Sequence, residues 1–148
     1  MIRRMMHLYW RFSRGLTLGV RGMAIDAERR IFLVKHSYIS GWHLPGGGVE
    51  PGETLLTALR REMLEEGNID IGPAPEFFGL YFNPAASNRD HVALFVLPSF
   101  KQTAPPQPNA EIVAHGFFSQ DGLPEATTPG TRMRIAEVLD GAVRSETW

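Results

Sequence analysis

From Gly47 to Ile69 the chain reads GGVEPGETLLTALRREMLEEGNI, a Gly-Pro-rich approach that runs directly into an acidic helix. Thr54 to Glu66 contains no Pro or Gly, and Leu55, Leu56, Leu59 and Met63 recur at three- and four-residue spacing, the pattern of an amphipathic helix. Glu62, Glu65 and Glu66 share one side of it. At roughly 100° of rotation per residue, Glu62 and Glu66 overlap the edge of the apolar stripe. Carboxylates partly withdrawn from water there raise one another's pKa unless a cation neutralises them. A divalent cation is therefore expected. Hard oxygen donors, without Cys or clustered His, favour Mg²⁺ or Mn²⁺ over Zn²⁺. A Glu pair on its own is most often a solvated helix face. The preceding loop, Trp42 to Gly48, sharpens the reading: a short apolar entry is followed by residues that allow unusual backbone angles and close ligand approach.

This stretch resembles the signature of the Nudix hydrolase family, which runs Gly, five residues, Glu, seven residues, Arg-Glu, apolar, any, Glu-Glu, any, Gly, apolar. Gly47, Glu53, Arg61, Glu62, Met63, Glu65, Glu66 and Ile69 fit their places. Asn68 stands where the family has its last Gly. A left-handed residue is often required after a helix C-terminus, and Asn is the commonest substitute for Gly there.

The resemblance implies an α/β/α sandwich on a mixed sheet, with a loop-helix-loop signature, reaching from about Leu16 to Leu139. It implies hydrolysis of the diphosphate bond of a nucleoside diphosphate linked to another group, by water attacking phosphorus. ADP-ribose or a nucleotide sugar is the first substrate expectation. Pro84 follows Ile69 at a spacing similar to that of ADP-ribose-type members, although Ala85 stands where those carry Gly. A nucleoside triphosphate pyrophosphohydrolase is the alternative, and a non-catalytic nucleotide- or protein-binding domain is a third reading. Retention of all three carboxylates weighs against the third.

By the same resemblance Glu62, Glu65 and Glu66 are the metal ligands, and Glu62 or Glu66 also orients water. Gly47 and its neighbours offer backbone groups to metal or phosphate, and Arg61 pairs with Glu53 to fix the loop. Glu111, six residues before Phe117, is the first candidate for general base. Arg89 is a candidate for gripping phosphate or ribose, and Trp42 and Tyr81 for stacking on a nucleobase. His43, His91 and His115 are weaker candidates, since a lone His beside strands or aromatics is usually a packing residue.

A chain of 148 residues fits one domain, 1–148, with a core large enough to need no staples, and the absence of Cys suits a reducing compartment. Met1 to Val20 lacks an apolar run long enough for a signal or a membrane span. The expectation is a cytoplasmic protein with a nucleotide-derived substrate and no membrane partner. The net charge of −1 hides an asymmetry, because the first 40 residues hold eight Lys or Arg against two acids. In the basic, aromatic segment 1–15, Arg3, Arg4, Arg11 and Arg14 interleave with His7, Tyr9, Trp10 and Phe12. Such a segment can contact phosphate or cover a second subunit, so a homodimer is an open expectation. A dedicated nucleic-acid surface would need a more basic domain.

Alternation predicts strands at Leu16 to Ile25 and Ile31 to Val34, joined as a hairpin through Asp26 to Arg29. Further strands are predicted at Glu76 to Phe82, Val92 to Leu97 and Gly116 to Ser119, and a closing helix at Thr131 to Leu139.

Overall fold

The computed structural model describes residues 2–148. In chain order it contains α1 (Ile2–Ser13), β1 (Thr17–Ala24), β2 (Ile31–His36), β3 (Trp42–His43), β4 (Gly46–Gly48), α2 (Leu55–Gly67), β5 (Glu76–Phe82), β6 (Asp90–Leu97), β7 (Ile112–Phe118), a 3₁₀ turn at Gln120–Gly122, and α3 (Pro129–Leu139). The strands form a mixed four-stranded sheet, β4-β1-β6-β5, and a three-stranded sheet, β3-β2-β7. In the first, β1 runs parallel to β6 on one side and antiparallel to β4 on the other.

Side chains alternate across the strands and divide the core into two layers. Phe32 and Val34 of β2 pack with Val20, Ala93 and Phe95 under Ala58, Leu59 and Met63 of α2. Ile31 and Leu33, their neighbours in sequence, face the other way and join Met23, Leu94 and Ile135 of α3. Helices therefore cover opposite faces of the strand layer, and the architecture is the α/β/α sandwich.

The predicted hairpin is corrected. β1 and β2 touch through a single antiparallel bridge, Ile25 to Ile31, and then part into different sheets, because β1 takes β4 and β6 as its ladder partners. The predicted last strand starts earlier than expected, at Ile112, where it begins to pair with His36 of β2.

Helix α2 starts where Thr54 accepts a hydrogen bond from the Thr57 amide, a side-chain cap for an otherwise unpaired donor. It ends at Asn68, which adopts φ 50° and ψ 38°, the left-handed conformation that stops a helix. The Asn68 side chain donates from Nδ2 to the Ala104 carbonyl, tying this end to the Pro-rich loop.

Candidate active site

The glycine strand and the acidic helix meet at β1. Register pairs Val20 with Gly47 and Arg21 with Gly46, so β4 is held as an edge strand while α2 crosses beside it. Gly46 has φ +146°, and a Cβ there would lie 2.0 Å from the Val20 carbonyl oxygen. At Gly47 a Cβ would lie 2.4 Å from Glu62 Oε1, so the missing side chain is the space the Glu62 carboxylate occupies. Only glycine allows this approach.

Glu66, one turn further along α2, is buried. His36 Nε2 donates to its Oε1 over 2.6 Å, and the Gly46 amide donates to its Oε2 over 2.8 Å. The carboxylate thus clamps the end of β2 to the start of β4. His36 Nδ1 is buried without a hydrogen-bond partner, and the ring packs against Tyr38 and His43. Beneath them, half-buried Arg21 donates from one nitrogen to the carbonyls of Leu44 and Gly46, both at 3.0 Å. Burial lowers the Arg21 pKa, opposed by the charges of Glu66 and Glu62.

Arg61 organises the loop side. Its Nε and one terminal nitrogen donate to the two oxygens of Glu53, each at 3.0 Å, and that terminal nitrogen also reaches the Gly48 carbonyl at 3.1 Å. Its other terminal nitrogen donates to Glu62. The two Arg61 bonds, with the Glu50 amide, hold the Glu53 carboxyl down to about 2. Glu62 moves the other way. Burial raises its pKa, opposed by Arg61 and reinforced by Glu66 and Glu65.

The structure therefore brings together Glu53, Arg61, Glu62, Glu66 and Gly47 of the residues singled out in the sequence. Glu65 stands apart, 61% exposed, with Arg61 at 3.8 Å. Among the described residues no three acidic or His side chains converge into a ready-made metal cluster, and the expected trio is at this stage a pair. The donors present still fit a hard divalent cation. Two carboxylates on adjacent turns face a glycine strand, and Glu62 carries its charge at a cost that a cation would relieve.

Glu111 lies in the exposed segment before β7, where its carbonyl accepts from the Ser37 amide at 2.8 Å. Next to it, Tyr38 has its pKa raised by desolvation of the hydroxyl and then by Glu66 and Glu111, so both carboxylates act on one phenol. The two candidate stacking aromatics both pack within the fold. Tyr81 is 1% exposed, donates to Glu137 at 2.8 Å and lies under Arg134, a core position. Trp42 packs edge-on against Phe118 at 5.1 Å on the α3 side. Arg89, exposed, donates to the Gly15 carbonyl at 2.9 Å, while Asp90 accepts from Thr17 and Asn83. His43 Nε2 donates to the Ser40 carbonyl, and burial lowers its pKa. His91 packs on Phe82 and His115 on Phe32. His36, Arg21 and Tyr38 were not singled out in the sequence. His36 and Arg21 sit in apolar strands, where a polar residue that breaks the alternation was the only available signal.

Comparison with known proteins adds to this geometry. The model of the NUDIX domain matches residues 15–140. A Bacillus subtilis (strain 168) protein, named provisionally as an 8-oxo-dGTP diphosphatase, is 27% identical over 126 residues, covering 85% of this chain and 82% of that protein. The crystal structure of a MutT NUDIX hydrolase from Burkholderia pseudomallei is similar at a TM-score of 0.70 and 25% identity, covering 82% of this chain and 97% of that one. An ADP-ribose pyrophosphatase from Streptococcus suis 89-1591 has a TM-score of 0.59 and 26% identity, covering 89% of this chain and 95% of its own.

Proposed function

Since the chain belongs to the NUDIX domain family of hydrolases, we propose that it is a Mg²⁺- or Mn²⁺-dependent nucleoside triphosphate pyrophosphohydrolase. The observation that carries this reading is the placement of Glu62 and Glu66 against the Gly46–Gly48 strand. Similarity to the Bacillus subtilis protein, named for 8-oxo-dGTP, supports the triphosphate class. The reading first expected from the sequence leaned on the Pro84-to-Asp90 loop, whose Arg89 and Asp90 are committed to backbone and side-chain partners within the fold. Cleavage of a nucleoside diphosphate linked to another group, ADP-ribose or a nucleotide sugar, is the second reading, favoured by similarity to the Streptococcus suis protein.

In either case water adds across a P–O–P bridge. Its oxygen bonds to phosphorus, the bridging oxygen leaves on the departing phosphate, and a proton passes to a base or to solvent. The difficulty is electrostatic, because a polyphosphate approaching Glu62 and Glu66 meets like charge. A bound divalent cation supplies neutralisation and a more acidic water. Glu62, Glu66 and, on substrate arrival, Glu65 would hold it, with a carbonyl of the Gly46–Gly48 strand. His36 fixes the orientation of Glu66, and Arg61 joins Glu53, Glu62 and the Gly48 carbonyl into one frame. Glu111 is the proposed base, on the loop that shares Tyr38 with Glu66.

Product identity tests the proposal. Purified protein with Mg²⁺ or Mn²⁺ is incubated with 8-oxo-dGTP, unmodified nucleoside triphosphates, ADP-ribose and UDP-sugars. Pyrophosphate with a nucleoside monophosphate from a triphosphate is expected. Turnover of ADP-ribose or a UDP-sugar alone would replace the first reading with the second, and nucleotide binding without turnover of any would overturn both.

A further inference from the structure

Helix α1 lies before the residues that match the family model and contributes no buried residue to the domain. At roughly 100° per residue its apolar and its basic side chains separate into two arcs, with only the C-terminal Ser13 falling on the apolar side. Ile2, Met5, Met6 and Tyr9 form the middle of an apolar arc, flanked by Leu8 and Phe12 on one side and Trp10 on the other. Arg3, Arg4, His7 and Arg11 fill the remaining arc, and no acidic residue occurs before Asp26. The apolar arc spans roughly 200°, against the narrower stripe that packs one helix onto a domain. It is open to solvent: Ile2 is 76%, Tyr9 68% and Phe12 73% exposed. Trp10 sits at the boundary, with the Arg14 guanidinium 5.9 Å from its ring and His7 edge-on at 5.6 Å. Amphipathic rings at such a boundary suit the level of lipid headgroups.

We propose that α1 is an interfacial anchor that lays its apolar arc into an anionic lipid surface, with Arg3, Arg4, Arg11 and Arg14 against the headgroups. Charge complementarity decides the occupant. A second copy packed on this face would cover the apolar arc but leave the arginines of both helices unpaired, with no acid on either helix to meet them. A nucleic acid would satisfy the arginines and leave the apolar arc in water. An anionic bilayer satisfies both arcs. The helix is too short and too charged to cross, and no helix among the described residues is long and apolar enough to do so. Arg89 fixes the other end: its bonds to the Phe12 and Gly15 carbonyls tie the helix terminus to the domain, so a docked helix would also hold the domain at the surface.

Flotation of the full chain tests this with phosphatidylcholine vesicles and with vesicles in which phosphatidylglycerol replaces about a third of the lipid. Binding to the mixed vesicles only, reversed by salt, is expected, with a blue shift of Trp emission that Trp10→Phe removes. Arg3→Gln with Arg4→Gln should weaken partitioning by about tenfold or more. Tyr9→Glu should abolish it, with nucleotide hydrolysis in the absence of vesicles unchanged in every variant. Absence of flotation overturns the proposal, as does equal flotation of all variants. So does self-association or RNA binding that Tyr9→Glu disrupts while the wild type ignores vesicles. Hydrolysis is read without lipid, so failure here is separate from failure of the enzymatic reading.

Discussion

Glu66 is the residue where structure and chemistry are most tightly joined, because both of its oxygens already accept hydrogen bonds from the strands that frame the site. Glu66→Gln keeps the shape and removes the charge but sets its NH2 against one of the two donors, so kcat/KM should fall by about a hundredfold or more and denaturant unfolding should show a cost of about 1–3 kcal/mol. His36→Ala leaves Glu66 Oε1 buried without its donor. Steady-state kinetics should show a loss of about 10- to 100-fold, and denaturant unfolding a cost of about 1–3 kcal/mol. Glu53 carries the pH dependence of the frame. Its carboxyl is held at about 2 against an ordinary 4.5, so it stabilises the folded chain fully above pH 4.5 and progressively less as pH falls towards 2. Stability measured across that window should lose part of its slope in Glu53→Gln. The Glu53–Arg61 partnership was legible because both lie in one short stretch. The His36–Glu66 contact joins residues 30 apart and the Arg21–Gly46 contact residues 25 apart, which only the assembled sheets bring together.

At the scale of elements, α2 was legible almost to its ends from its apolar spacing and the left-handed stop at Asn68, while the Thr54 cap emerged only with the structure. Thr54→Ala should cost about 1 kcal/mol by removing the cap. Asn68→Ala should cost about 1–2 kcal/mol, because Ala tolerates the left-handed conformation poorly. Both are read by chemical denaturation. The strands were legible as strands, but their partners were not. β1 and β2 show hairpin spacing, yet β1 is claimed by β6, 73 residues on from Thr17, and by the glycine strand. Local turn chemistry cannot report such a parallel pairing. The segment that became α1 was legible in its charge and aromatics, while its two-arc geometry emerged only once it was a helix.

Across the whole molecule, two apolar layers hold α2 and α3 on opposite faces, and the α3 side contains a buried ion pair. Arg134 is fully buried, donates to Glu137 over 2.7 Å and lies 4.2 Å from the Tyr81 ring centroid. Glu137→Ala would strand that charge and the Tyr81 hydroxyl, costing about 3–5 kcal/mol in equilibrium unfolding. At roughly 2–4 °C per kcal/mol the melting temperature should fall accordingly, with activity in the folded range preserved because the pair lies on the face away from α2. The sandwich thus separates a stabilising face from a chemical one, and the central claim concerns the latter: Glu62 and Glu66 against the glycine strand gather a divalent cation for a phosphate ligand. Calorimetric titration of Mn²⁺, with a slowly hydrolysed nucleotide analogue present, measures this directly in wild type and Glu66→Gln. Uptake by the wild type that is lost in the variant is the predicted result; no uptake by the wild type, or equal uptake by both, would contradict it.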